Sequence, residues 1–243
     1  MSTASPATAA PASITREERR VLAGTLVGTT IEWYDFFIYA QAAGLILSVQ
    51  YFGPLASDNP ALGQIMAWAS LGNTFLFRPL GAIIAGHLGD RIGRKKMLVL
   101  TLILMGLATS LIGLLPNYAA IGIGAPILLT LLRILQGFSA GGEWGGAALL
   151  SVEHAPVNKR GLFGAYPQIG VPVGMILATG VIWILTTVLT TEQFASFGWR
   201  IPFLFSVVLV IGGSYIRRQV EASPLFAELG DRKAASSAPR ATL

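Results

Sequence analysis

Six long apolar runs alternate with short polar breaks along this chain. The first extends from about Val21 to Tyr51. The second opens at Asn59-Pro60, a capping side chain followed by proline at the first helical position, and closes near Leu88. The third runs from about Met97 to Leu115 and stops at Pro116-Asn117. The fourth covers about Ala119 to Leu150, the fifth Leu162 to Leu189, and the sixth Trp199 to Ile216. A hydrocarbon core about 30 Å thick is crossed by roughly 20 apolar residues in helical conformation. The pattern therefore predicts an all-α polytopic membrane protein with six transmembrane helices. Residues 1–20 read as a cytoplasmic tail, 21–217 as the helical bundle, and 218–243 as a cytoplasmic linker or tail. Thr15 with Glu18 forms a candidate capping box just before Arg19 and Arg20.

Composition agrees with the pattern. Of 243 residues, 53% are hydrophobic and 12% are charged, against about 25% charged in soluble globular domains. So little charge cannot cover a soluble core of this size. The net charge of +5 does not point to nucleic acid, because the cations come in separate groups between apolar runs and form no continuous basic face. Their spacing instead orients the helices. Arg16, Arg19 and Arg20, then Arg91, Arg94, Lys95 and Lys96, then Lys159 and Arg160, then Arg217 and Arg218 fall at alternate ends of the runs. By the positive-inside rule, both termini are cytoplasmic. With no cysteine, disulfides, thiolate metal sites and a cysteine nucleophile are excluded. Neither an enzyme nor a cofactor or metal site is expected.

Ionisable side chains inside the runs are the candidates for function, because charge in lipid is costly. Glu32, Asp35 and Tyr39 share one face of the first run, by spacings of three and four residues. Arg133, Gln136 and Glu143 share one face of the fourth. Arg78 lies in the second run, about 18 Å along the helix from Asp90. These faces are expected to meet inside the bundle. The arginines would attract an anionic group, and Glu32, Asp35 or Glu143 would carry a proton. The same residues could instead be ion pairs that hold helices in register.

Small residues recur at intervals of four: Gly137, Gly141 and Gly145 in the fourth run, and Gly81, Ala85 and Gly89 in the second. Such stripes let helix backbones approach closely. Pro167, Gly170, Pro172 and Gly174 surround Gln168 and predict a kinked or unwound fifth helix, with Gln168 lining a pathway.

Between the second and third runs lies Gly86-x-Leu88-Gly89-Asp90-Arg91-x-Gly93-Arg94-Lys95-Lys96. Gly89 and Gly93 permit a tight turn, and Arg91 and Arg94 complement the negative end of the preceding helix. Asp90 and Arg94 are candidate partners in a latch that forms and breaks. This stretch resembles the signature loop of the major facilitator superfamily of transporters, and Arg133-x-x-Gln136-Gly137 resembles that superfamily's motif in span 4. Four further pieces narrow the likeness: Glu32-Trp33-Tyr34-Asp35-Phe36-Phe37, Arg78-Pro79-Leu80-Gly81, Gly141-Gly142-Glu143-Trp144-Gly145-Gly146, and Gly198-Trp199-Arg200-Ile201-Pro202-Phe203. Together they resemble the metabolite:proton symporter family, which includes carriers of shikimate, oxoglutarate, citrate and proline or betaine.

The resemblance implies symport of a small organic acid or zwitterion with a proton, across a bacterial inner membrane, by alternating access. Protons would be the coupling ion. Asp90, Arg91 and Arg94 would be gating residues, and Arg133 would take part in coupling. The family has about twelve spans in two six-helix halves, and six are read here. The chain thus corresponds to the N-terminal half, and carrier function would need a C-terminal half or a second copy. A membrane-embedded structural or regulatory partner, or a vestigial carrier, is the alternative.

Overall fold

The computed structural model describes residues 14–57 and 59–218, with the side chains of Arg94, Arg217 and Arg218 left aside. Most of the two expected tails lies outside the described residues. Among the described residues the chain is helical, with no strand. The helices are α1 (Arg16–Ala42), α2 (Ser48–Gln50), α3 (Pro60–Ile92), α4 (Arg94–Leu114), α5 (Tyr118–Ile121), α6 (Gly124–Glu153), α7 (Arg160–Val188), α8 (Thr191–Ser196) and α9 (Ile201–Arg218).

Local chemistry explains the boundaries. Thr15 accepts from the Glu18 backbone while the Glu18 carboxylate accepts from the Thr15 N–H at 2.8 Å, so the capping box forms and α1 starts at Arg16. A five-residue π turn, Ala43–Leu47, carries α1 into α2. The Asn59 side chain caps α3 by accepting from the Ala61 and Leu62 N–H groups. Gly122, with φ +57°, separates α5 from α6.

Two local expectations are corrected. The basic stretch after the second run is not a loop. Helix α3 continues to Ile92, so Gly89, Asp90 and Arg91 are helical, and only Gly93, at φ 96°, separates it from α4. A single glycine in that conformation both ends one helix and starts the next, so no longer linker is needed. Of the kinked or unwound fifth helix expected, the unwinding does not occur: α7 runs unbroken through Pro167 and Pro172. A proline leaves the carbonyl four residues earlier without its helical donor. For Pro167 that carbonyl belongs to Phe163, and the Ser151 hydroxyl of α6 donates to it at 2.6 Å. The helix therefore has no reason to unwind there.

By length and composition, four helical stretches are apolar enough to cross a membrane: Lys95–Leu114, Gly124–Glu153, Val157–Val188 and Gly198–Ile216. Helices α1 and α3 are long enough but less apolar, and they are the two that carry Glu32, Asp35 and Arg78. Helix α1 is central and touches α3, α4, α6, α7 and α9. The remaining major contacts pair α3 with α6, and α4 with α6 and α9.

The α3–α6 contact is a glycine seam. A Cβ on Gly81 would strike the backbone of Phe138, and one on Gly141 would strike the Arg78 carbonyl. One on Gly137 would lie 2.6 Å from the Thr74 carbonyl. The seam therefore brings Arg78 and Arg133 onto neighbouring backbones. Gly170 and Gly174 play the same part between α7 and α1, against Thr29, Thr30 and Tyr34. The opposite surface of α7 is apolar and exposed, with Ile176, Trp183, Ile184 and Val188 all more than half exposed.

Candidate functional site

Helix α1 projects Glu32, Asp35 and Tyr39 into the bundle, all three buried. Helix α6 supplies Arg133 and Gln136 from the facing side, also buried. Arg78, on α3, keeps 21% of its side chain exposed and is the most accessible charge of the group. Glu32, Asp35, Thr74, Arg78, Arg133 and Gln136 line one small space of about 10 Å³, the size of a single water.

Two arms meet there. In the first, Arg78 pairs with Glu32 at 3.0 Å. Its guanidinium also lies 5.0 Å from the centre of the Phe75 ring and 5.8 Å from that of Trp33. Trp33, Phe36, Phe37 and Phe75 form a continuous aromatic cluster around it.

The second arm is a chain of hydrogen bonds. Arg133 Nη1 donates to Gln136 Oε1. Gln136 Nε2 donates to Thr109 Oγ1 at 2.6 Å, and Thr109 Oγ1 donates to Asp35 Oδ2 at 2.7 Å. The other oxygen of Asp35 accepts from the Ser206 hydroxyl of α9. Arg133 is stacked 3.9 Å above the Tyr39 ring, whose hydroxyl pairs with Ser70. Arg133 and Asp35 are thus joined through two neutral side chains. A charge can be buried when partners satisfy its donors and acceptors, and here α1, α4, α6 and α9 share that task. Nε and Nη2 of Arg133 have no hydrogen-bond partner among the described residues.

Several of the candidates named from sequence stand apart from this cluster. Glu143 is fully buried ten residues along α6 from Arg133, where it accepts from Thr101 at 3.2 Å. Gln168 is exposed on α7, away from the polar interior. Asp90 and Arg91 are exposed in the last turn of α3. Gly89 is buried beside Met97, and with Gly86, Asp90, Gly141 and Gly145 it lines a cavity of about 220 Å³ between α3, α4 and α6. The Arg94 side chain lies outside the described residues.

Thr109 and Ser206 were not identified from sequence. A hydroxyl inside an apolar run commonly bonds to its own helix, and Thr109 does so too, to the Met105 carbonyl at 2.9 Å. The available signal was Thr109-Ser110, two adjacent hydroxyls in a run whose other polar side chain is Thr101.

The all-helical bundle with a sequestered polar centre has a counterpart among solved structures. The chain superposes on the MFS (major facilitator superfamily) proton:xylose symporter XylE with a TM-score of 0.80 at 14% identity, covering 91% of this chain and 48% of that one. At that identity the likeness concerns the fold. Residues 21–240 match the family model described as "Sugar (and other) transporter", and the chain belongs to that transporter family. It is 49% identical over 218 residues to the shikimate transporter of Escherichia coli (strain K12), covering 90% of this chain and 49% of that protein. It is 47% identical to the inner membrane metabolite transport protein YhjE of the same organism, covering 92% of this chain and 50% of that one. The chain therefore spans about half the length of these relatives.

Proposed function

We propose that this chain is the six-span N-terminal half of a secondary carrier that moves a small organic acid or zwitterion together with a proton by alternating access. Both termini would be cytoplasmic in a bacterial inner membrane, and α1 and α3 would complete the six spans. The observation that carries the reading is the buried set Glu32–Arg78 and Asp35–Thr109–Gln136–Arg133, placed inside helices whose middle turns carry few other charged side chains. Ionisable groups are retained at such depth where an ion or a charged solute is handled. The likeness to shikimate and metabolite transporters supports a small-metabolite substrate.

Arg78, the more accessible of the two arginines in that set, would receive the substrate's carboxylate. Asp35 or Glu32 would take the proton, and neutralising either frees a positive charge that the anion then balances. Asp90, Arg91 and Arg94, around the Gly93 joint, would act as the gate. The matching wall of the pathway would come from a C-terminal six-helix half or from a second copy.

Uptake by proteoliposomes under an imposed pH gradient tests this. The chain alone should give no accumulation of a labelled organic acid, and the chain assembled with a matching C-terminal half should give gradient-dependent accumulation. Accumulation indifferent to the gradient would remove the proton from the proposal, and accumulation by the monomeric chain alone would remove the second half.

A further inference from the structure

We infer that Thr109 is a hydroxyl switch through which the protonation state of Asp35 is passed to Arg133. The inference rests on the proton-coupled reading above and concerns how the coupling is built.

A threonine hydroxyl has one hydrogen to give and two lone pairs to receive with. Thr109 Oγ1 has three partners within bonding distance: Asp35 Oδ2 at 2.7 Å, the Met105 carbonyl at 2.9 Å, and Gln136 Nε2 at 2.6 Å. The amide nitrogen of Gln136 can only donate, so it takes one lone pair. The single hydrogen then has two possible acceptors, and the charge on Asp35 decides between them. A carboxylate draws it, because a hydrogen bond to a charged acceptor is the stronger one. When a hydronium ion from the pathway gives its proton to Asp35, an O–H bond forms on Oδ2 and one breaks on the hydronium, which leaves as water. The new hydrogen then points to the remaining lone pair of Thr109, and the threonine's own hydrogen turns to the Met105 carbonyl. Every partner is satisfied in both states without movement of a heavy atom.

The consequence at Arg133 is electrostatic. Gln136 holds Arg133 and Thr109 with its two ends. With Asp35 charged, Arg133 is compensated along this line of dipoles. With Asp35 neutral the carboxylate's share of that compensation is lost, while Nε and Nη2 of Arg133 already lack partners among the described residues. The other ionisable groups around Asp35 are Glu32, Tyr34 and Tyr39 on α1, Arg78 on α3, and Glu143 further along α6. The sides contributed by α4 and α9 offer hydroxyls, from Thr109 and Ser206. Of these two hydroxyls, Thr109 is the one with a second acceptor among the described residues, the Met105 carbonyl, to which its hydrogen can turn.

The test uses the 243-residue chain in lipid nanodiscs. Its protonated-carboxyl infrared band is followed between about pH 4 and pH 9. The component missing in Asp35→Asn is assigned to Asp35. Thr109→Ser, which keeps the hydroxyl, should titrate within about 0.3 pH unit of the wild type. Thr109→Val should move the midpoint by about one unit or more, a roughly tenfold change in proton affinity. Gln136→Leu leaves both hydroxyl donors on Asp35 and cuts the line to Arg133, and it should move the midpoint by about half a unit. If Thr109→Val does not fold, judged by helical circular dichroism, the Gln136→Leu and Thr109→Ser pair decides. A titrating Asp35 band indifferent to Thr109 and Gln136 overturns the switch and leaves the carrier reading standing. No titrating Asp35 band in the wild type overturns both the switch and the proton-coupled reading.

Discussion

The α3–α6 seam and the polar centre beside it solve opposite problems with neighbouring residues. The seam works by leaving side chains out: Gly81, Gly137 and Gly141 let two backbones touch, with no room for a methyl group. The polar centre works by placing side chains where lipid would forbid them. Asp35, Arg133 and Gln136 are buried because hydroxyls from α4 and α9 satisfy them. The two depend on each other. Arg78 pairs with Glu32 through its side chain, and its carbonyl is the atom that Gly141 packs against. Tight packing with no chemistry thus sets the position of a residue whose chemistry needs to be placed to within a hydrogen-bond length.

The largest effect that would sharpen this contrast is expected at the ion pair. Arg78→Ala removes the cation paired with the buried Glu32 carboxylate, and deleting one member of a buried pair costs about 3–5 kcal/mol. Unfolding in mixed detergent micelles measures it, and a loss under about 1 kcal/mol would mean that the pair contributes no more than an exposed ion pair does. Next comes Gly141→Val. Its side chain has no space against the Arg78 backbone, and overpacking of this kind costs about 1–3 kcal/mol. The same measurement on Gly141→Val with Arg78→Ala tells whether the seam and the pair are coupled: coupled sites give a combined loss smaller or larger than the sum.

Smaller effects probe the far end of the bundle and the limit of the seam. Tyr51 donates to the Leu115 carbonyl at 2.7 Å, and Arg200 Nη1 donates to the Gly113 and Leu115 carbonyls at 2.9 and 2.8 Å. Tyr51→Phe should cost about 1 kcal/mol, one hydrogen bond, because Arg200 still caps the carbonyl. Gly145, four residues beyond Gly141, faces open space: a methyl group placed there would have no neighbour within 4 Å. Gly145→Ala should therefore stabilise by about 0.5–1 kcal/mol through helix propensity alone. A destabilising Gly145→Ala would break the comparison, since it would place a partner on a stretch described as open.

Much of this was legible from residue types. Charge in an apolar run stands out, so Glu32, Asp35, Arg78 and Arg133 were found without knowledge of the fold, and helical spacing placed Tyr39 and Gln136 on the same faces. The glycine stripes announced close packing, though not which helix they met. Thr109 and Ser206 were hidden because a threonine or serine in a helix is satisfied by its own backbone, and only the fold shows a second partner. The expected unwinding of the fifth helix failed for a related reason. Proline does free a carbonyl, but whether the helix unwinds depends on a donor nearby, and Ser151 comes from a different helix. The stretch from Gly86 to Lys96 looked like a loop because its charges mark an interface with water, and a helix is free to extend past that interface.

One residue joins two long rods. Helix α3 has 33 residues and is therefore about 50 Å long, and Gly93 is all that separates it from α4. A swing of about 5° at that elbow carries the distant tip of α3 through roughly 4 Å by simple leverage on that length. A crank of these proportions turns an adjustment of two backbone dihedrals into the displacement of an entire wall.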